Sequence, residues 1–164
     1  MKEIELKIRH YPDKILREKA RWVKELTPQH RQILEKMAQI MYESKGIGLA
    51  APQVGISERM IVADIGDKLY KLINPKVIFS SGSQINEEGC LSVPGFSVKV
   101  KRPAKIKLQA QDENGCFLEM DASGLLACVF LHEIDHLNGK LIVDYASFLE
   151  RIKIKRALKN LDAK

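Results

Sequence analysis

The segment His132-Glu133-Ile134-Asp135-His136 constrains this chain more than any other part of its 164 residues. Histidines four apart share one face of an α-helix, so both imidazoles can reach a single cation. Glu133 follows the first of them, where its carboxylate can take a proton from a water that the cation has acidified. The spacing predicts a helix, a divalent metal and a hydrolytic reaction together.

A catalytic centre of this kind needs a third protein ligand. The pattern HExxHxxGxxH would supply a histidine, and the chain follows it as far as Gly139 but carries Ile142 at the last position. A downstream glutamate would also serve. The only one after Glu133 is Glu150, which belongs to the capping box formed with Ser147. Cys128 precedes His132 by one helical turn but stands eight residues from His136, about 12 Å along a helix axis. Bonds of about 2.0–2.3 Å cannot gather all three around one ion, so Cys128 reads as a small buried side chain. Cys90 is the better candidate, in EEGCLSVPG between strands, with Gly89 letting the backbone approach another element. Cys116 follows Asn114-Gly115 in a turn and reads as a strand residue. Three cysteines, an odd number, argue against a disulfide framework.

Around this motif the chain reads as one domain over residues 1–164, of α+β class. Thr27-Pro28 opens a helix whose apolar positions are Ile33, Leu34, Met37, Ile40 and Met41, with Gly46 as its stop. MIVAD, YKLI, KVIF, FSVKV and KIKLQA then read as short, mostly antiparallel strands. Asp121 or Ser123 caps the motif helix and Gly139 ends it. The expected architecture is antiparallel sheets surrounding a central HExxH helix, with an N-terminal and a C-terminal helix. No apolar run approaches the roughly 18 residues that span a bilayer, and the N-terminus lacks the apolar centre of a signal peptide. We therefore expect no membrane or DNA partner and a cytoplasmic protein, or an organellar matrix protein freed of a transit peptide. The formal charge of +6 is concentrated in residues 151–164, where Arg151, Lys153, Lys155, Arg156, Lys159 and Lys164 face Asp162 alone.

Three segments, GIGLAAPQ at 46–53, GCLS at 89–92 and HEIDH at 132–136, resemble in order and spacing the signature motifs of the peptide deformylases. The resemblance begins at HYPD at 10–13 and covers nearly the whole chain. It implies Cys90, His132 and His136 as metal ligands and Glu133 as general base, then general acid. The Gln53 amide and the Leu91 N–H would face the developing oxyanion. Gly48 would hydrogen-bond the substrate, and Ile47, Leu125, Cys128 and Val129 would line a pocket for a methionine side chain. The implied substrate is an N-formylmethionyl nascent peptide, which releases formate. The ligand set alone points to zinc; the resemblance points to Fe(II), with nickel or cobalt as substitutes. A family that acts on nascent chains implies ribosome contact through the basic C-terminal helix. In one departure, Leu131 stands where these proteins usually carry glutamine. Glu88 is expected to pair with Arg102 or to hold a ligand, whereas His10 and His30 read as surface histidines. An HExxH peptidase cutting internal bonds and a homologue without catalysis are the competing readings.

Overall fold

The computed structural model describes residues 3–159 and Leu161. Helix α1, Pro28–Glu43, buries Ile33, Leu34, Met37, Ala38 and Met41 on one stripe. Its start is fixed by Pro28 and by His30, whose Nδ1 accepts from the Thr27 N–H at 3.0 Å. Nε2 of the same ring lies 3.2 Å from Glu58, so His30 is a helix-start partner rather than a bare surface residue.

Seven strands follow: β1 (Gly48–Ala50), β2 (Met60–Ala63), β3 (Tyr70–Ser81), β4 (Gln84–Gly89), β5 (Ser97–Arg102), β6 (Lys105–Gln111) and β7 (Phe117–Ser123). They form an antiparallel sheet in the order β1-β2-β3-β6-β7 and a separate ribbon, β4-β5. YKLI and KVIF, expected as two strands, are one. Asn74 takes φ +53°, and its side chain both accepts from and donates to the Val23 backbone at 2.9 Å. Asparagine tolerates that conformation, and Pro75 has no N–H for the ladder. The strand therefore continues with a register shift between Ile73 and Lys76 instead of stopping. Cys116 lies just before β7, its N–H held by Asp112 Oδ1 at 3.0 Å, so it closes a turn.

Helix α2, Gly124–Leu137, carries the HExxH motif with Ser123 at its N-cap. Nine of its fourteen residues are buried, which makes it a core helix, and it packs against β1, β2, β6 and β7. Phe130, Ala127 and Leu137 join Leu72, Ile106 and Leu108 of the sheet in the central apolar cluster. Gly139, at φ +74°, ends this segment; a Cβ there would lie 2.5 Å from the Arg17 carbonyl oxygen. Helix α3, Phe148–Leu158, has the expected Ser147–Glu150 capping box and docks by Ile154 and Leu158. Asp162 and Lys164 of the basic tail lie outside the described residues. Among the described residues no helix is long and apolar enough to cross a membrane.

Candidate metal centre

One turn of α2 brings the rings of His132 and His136 to 5.0 Å between centroids. Cys90 arrives from the other side, at the end of β4, in a turn closed by the Val93 N–H on the Cys90 carbonyl at 2.9 Å. Its Sγ stands 3.3 Å from His136 Nε2, and one donor atom from each of Cys90, His132 and His136 lies within 4.8 Å of the others. Cys128 lies outside this group. Its thiol donates to Glu88 Oε2 at 3.2 Å, and burial followed by the charge of Glu88 pushes it up to about 12, so it stays protonated.

Glu88 does both things expected of it. Arg102 donates to its two oxygens at 2.6 and 2.7 Å, and His132 Nδ1 faces Oε1 at 2.9 Å. Burial alone would raise this carboxyl, but hydrogen bonds from His132 and Arg102 overcome it and hold it down at about 2. Arg102 also donates to Asp135 Oδ2 at 2.9 Å, which accepts from the Tyr145 hydroxyl at 2.8 Å. With Nδ1 committed to Glu88, His132 keeps Nε2 for a cation. His136 is pushed down by burial and by repulsion from His132 and Arg102, so it is neutral with a lone pair available. A thiol and two imidazoles, facing one point and largely shielded from water, fit a single divalent ion.

Glu133 lies beside the cluster, 3% exposed, its Oε2 without a hydrogen-bond partner among the described residues. Burial raises its carboxyl to about 7, against the opposing pull of the charges on His132 and Arg102. A carboxyl poised near neutrality can both take and return a proton. The backbone of β1 approaches it at Gly48, where a Cβ would lie 2.5 Å from Glu133 Oε1 and 2.9 Å from Val129 Cγ1. Gln53 is buried in the short 3-10 turn Ala51–Val54. Its Oε1 accepts from the Ala50 N–H at 2.9 Å, which turns Nε2 toward Ser92 Oγ at 3.2 Å and Cys90 Sγ at 3.5 Å.

These groups open onto a cavity of about 610 Å³ lined by Ile47, Gly48, Gln53, Leu91, Leu125, Cys128 and Val129, among others. Every residue expected at the site thus lies at the cluster or on this cavity. Ile47 and Leu125 are roughly half exposed at its rim, while Val129 and Cys128 are buried. Leu131 is half-buried and packs against the central apolar cluster. Sequence reasoning missed Ser92, Asp135, Tyr145 and Asn86. Asp135 was in view as a motif position, but nothing in the pattern tied it to Arg102.

A buried carboxylate next to a three-ligand metal cradle at the foot of a cavity is the arrangement of a metal-dependent hydrolase. The particular family follows from likeness: the polypeptide deformylase profile matches residues 5–152, and the chain belongs to that family. Peptide deformylase 1 of Burkholderia multivorans is 45% identical over 161 residues, covering 96% of this chain and 89% of that protein. The peptide deformylase of Thermodesulfovibrio yellowstonii is 42% identical, covering 94% and 96%. Among solved structures, a peptide deformylase from Ehrlichia chaffeensis in complex with actinonin matches with a TM-score of 0.93 at 34% identity, covering 97% of this chain and 98% of that one. One from Legionella pneumophila matches at 0.90 and 40%, covering 96% and 97%. The matches bear out an enzyme of deformylase type, and they do not favour the internal-bond peptidase.

Proposed function

We propose that the chain removes the formyl group from N-formylmethionyl peptides, with Cys90 Sγ and one nitrogen each of His132 and His136 holding the metal. The observation that carries this is the Glu133 carboxylate, buried between the metal cradle and the Gly48 backbone with its Oε2 unpartnered among the described residues. A divalent ion bound there supplies a Lewis acid for the formyl carbonyl and acidifies water. Glu133 takes the proton of the water that adds to the formyl carbon. The Gln53 Nε2 amide and the Leu91 N–H donate to the oxygen on which charge collects, a kind of contact worth about 10²–10³-fold in turnover elsewhere. Glu133 then returns the proton to the peptide nitrogen as the C–N bond breaks, releasing formate and a free amino terminus. Gly48 offers its backbone to the substrate, and Ile47, Leu125, Cys128 and Val129 receive the first side chain.

Ferrous iron is the ion we assign, with zinc, nickel or cobalt able to replace it; a thiolate and two imidazoles are compatible with each. The catalytic unit is the whole chain, working in the cytoplasm or an organellar matrix. Helix α3 touches the ribosome through its exposed Arg151, Lys153, Lys155 and Arg156. Removing residues after Arg151 should weaken ribosome binding at low salt; unchanged affinity there sinks that contact.

The decisive experiment is formate release from formyl-Met-Ala-Ser by protein purified without oxygen and analysed for metal. Glu133→Ala should keep its metal and lose about 10²–10⁴-fold in turnover. Near-parental formate release by that variant would refute the proton-transfer role.

A further inference from the structure

The Gln53 amide is gripped at both ends. Its Oε1 accepts from the Ala50 N–H at 2.9 Å, and its Nε2 donates to Ser92 Oγ at 3.2 Å. The first bond settles which end of the amide is oxygen, because an N–H needs an acceptor. It leaves the amide plane free to pivot about a single contact. The second contact stops that pivot, and it comes from a residue that the reaction above leaves unused. Ser92 is fully buried, next to Leu91, in the turn closed by the Val93 N–H on the Cys90 carbonyl. One N-terminal stretch ties the backbones of the two turns together: the Arg9 N–H donates to the Gln53 carbonyl at 2.7 Å, and the Tyr11 N–H to the Ser92 carbonyl at 2.8 Å. With both main chains fixed, the freedom left lies in the side-chain torsions of Gln53. Of the two hydrogens on Nε2, one goes to Ser92 and the other lies toward Cys90 Sγ, 3.5 Å away at the metal cradle.

We propose that Ser92 is a positioning residue: its hydroxyl oxygen holds one N–H of Gln53 so that the other is aimed at the oxygen on which charge collects. The inference rests on the deformylase reaction proposed above and adds what keeps its donor in place. A donor already aligned stabilises a developing charge without rearranging as the charge appears, and a misplacement of about 1 Å can cost about 10²-fold in rate. Without Ser92 Oγ a buried N–H loses its acceptor, and the amide turns about its bond to Ala50 toward the cradle sulfur or an entering water. Ser92 lies behind the cavity lining rather than in it, so its loss acts on turnover and not on substrate affinity.

The test is a double-mutant cycle on formate release from formyl-Met-Ala-Ser, with metal content and circular dichroism as controls. Gln53→Ala should lower kcat by about 10²–10³-fold. Ser92→Ala should lower it by about tenfold and leave KM within about twofold, because the amide remains but is no longer aimed. In the Gln53→Ala background the same serine change should alter kcat by less than about twofold. A serine that only fills its turn would lower both backgrounds alike. NMR of the zinc-loaded protein reads the contact without turnover. The Gln53 side-chain amide protons should be widely separated in the parent, one of them slow to exchange with water, and should approach those of free glutamine in Ser92→Ala. If that variant folds poorly, the parent spectrum carries the test. Equal losses in the two backgrounds, parental kcat in Ser92→Ala, near-parental turnover by Gln53→Ala, or parent amide protons like those of free glutamine each overturn the proposal. If the parent releases no formate, the reaction fails instead, and the amide protons still decide whether Ser92 holds Gln53.

Discussion

The two imidazoles of the metal cradle are held in unlike ways. His132 is aimed by charge: its Nδ1 meets Glu88, which is fixed by Arg102, which in turn meets Asp135 and Tyr145. His136 is aimed by packing: it is 1% exposed, and its buried Nδ1 has no hydrogen-bond partner among the described residues. In the ion-free protein the first ring is pushed up, because hydrogen bonds to Cys90 and Glu88 and the charge of Glu133 outweigh its burial. The second is pushed down. Two histidines on one helix are thus shifted in opposite directions, the first by its hydrogen bonds to Cys90 and Glu88, the second by burial and its charged neighbours.

Removing the charge that anchors this arrangement tests it most severely. Arg102→Leu leaves Glu88 buried without its main partner, an error that costs about 3–5 kcal/mol. We expect a melting temperature lower by about 10 °C, with metal affinity falling alongside it. A variant as stable as the parent would show that packing aims both rings. Glu88→Gln keeps the shape and removes the charge behind His132, so metal affinity should drop by about 10–100-fold in a chelator competition. Its pH signature is specific. A carboxyl depressed from 4.5 to about 2 by folding contributes stability above its ordinary pKa and loses it as pH falls toward 2. The stability gap between metal-free parent and variant should therefore be flat above pH 4.5 and close below it. A gap that widens in acid is incompatible with this carboxylate. The smallest effect belongs to Leu131→Gln. All the acceptor positions of Glu88 described above are taken, so a new amide beside His132 should change metal affinity less than about tenfold; a larger gain would give the family's usual glutamine a direct part in orienting the ring.

The same contrast explains what could be read from the chain. The two histidines on α2 were legible because helical spacing alone places them together. Strand β4 was not, because its pattern is inverted: Ile85 is 69% exposed while Glu88 is buried. Alternation of apolar and polar residues locates strands that rest on an apolar core, whereas this one carries a charge inward for His132 and Arg102. β1 spans three residues, too short for any period to register. β7 hid behind Asp121 and Ser123, which look like helix caps; Ser123 is one, and Asp121 pairs with Lys107 in the ladder. Cys90 was reached by eliminating rivals, while the Arg102–Asp135–Tyr145 chain joins β5 to α2 and the turn after it through contacts that no local spacing announces.

Gly48 has a consequence for how this enzyme can drift. The position contributes no functional group, yet the smallest possible addition, a methyl, would collide with the carboxylate proposed to move the proton. Mutational tolerance is therefore low where there is nothing to delete, and an alanine at that spot is a route to a folded but silent protein.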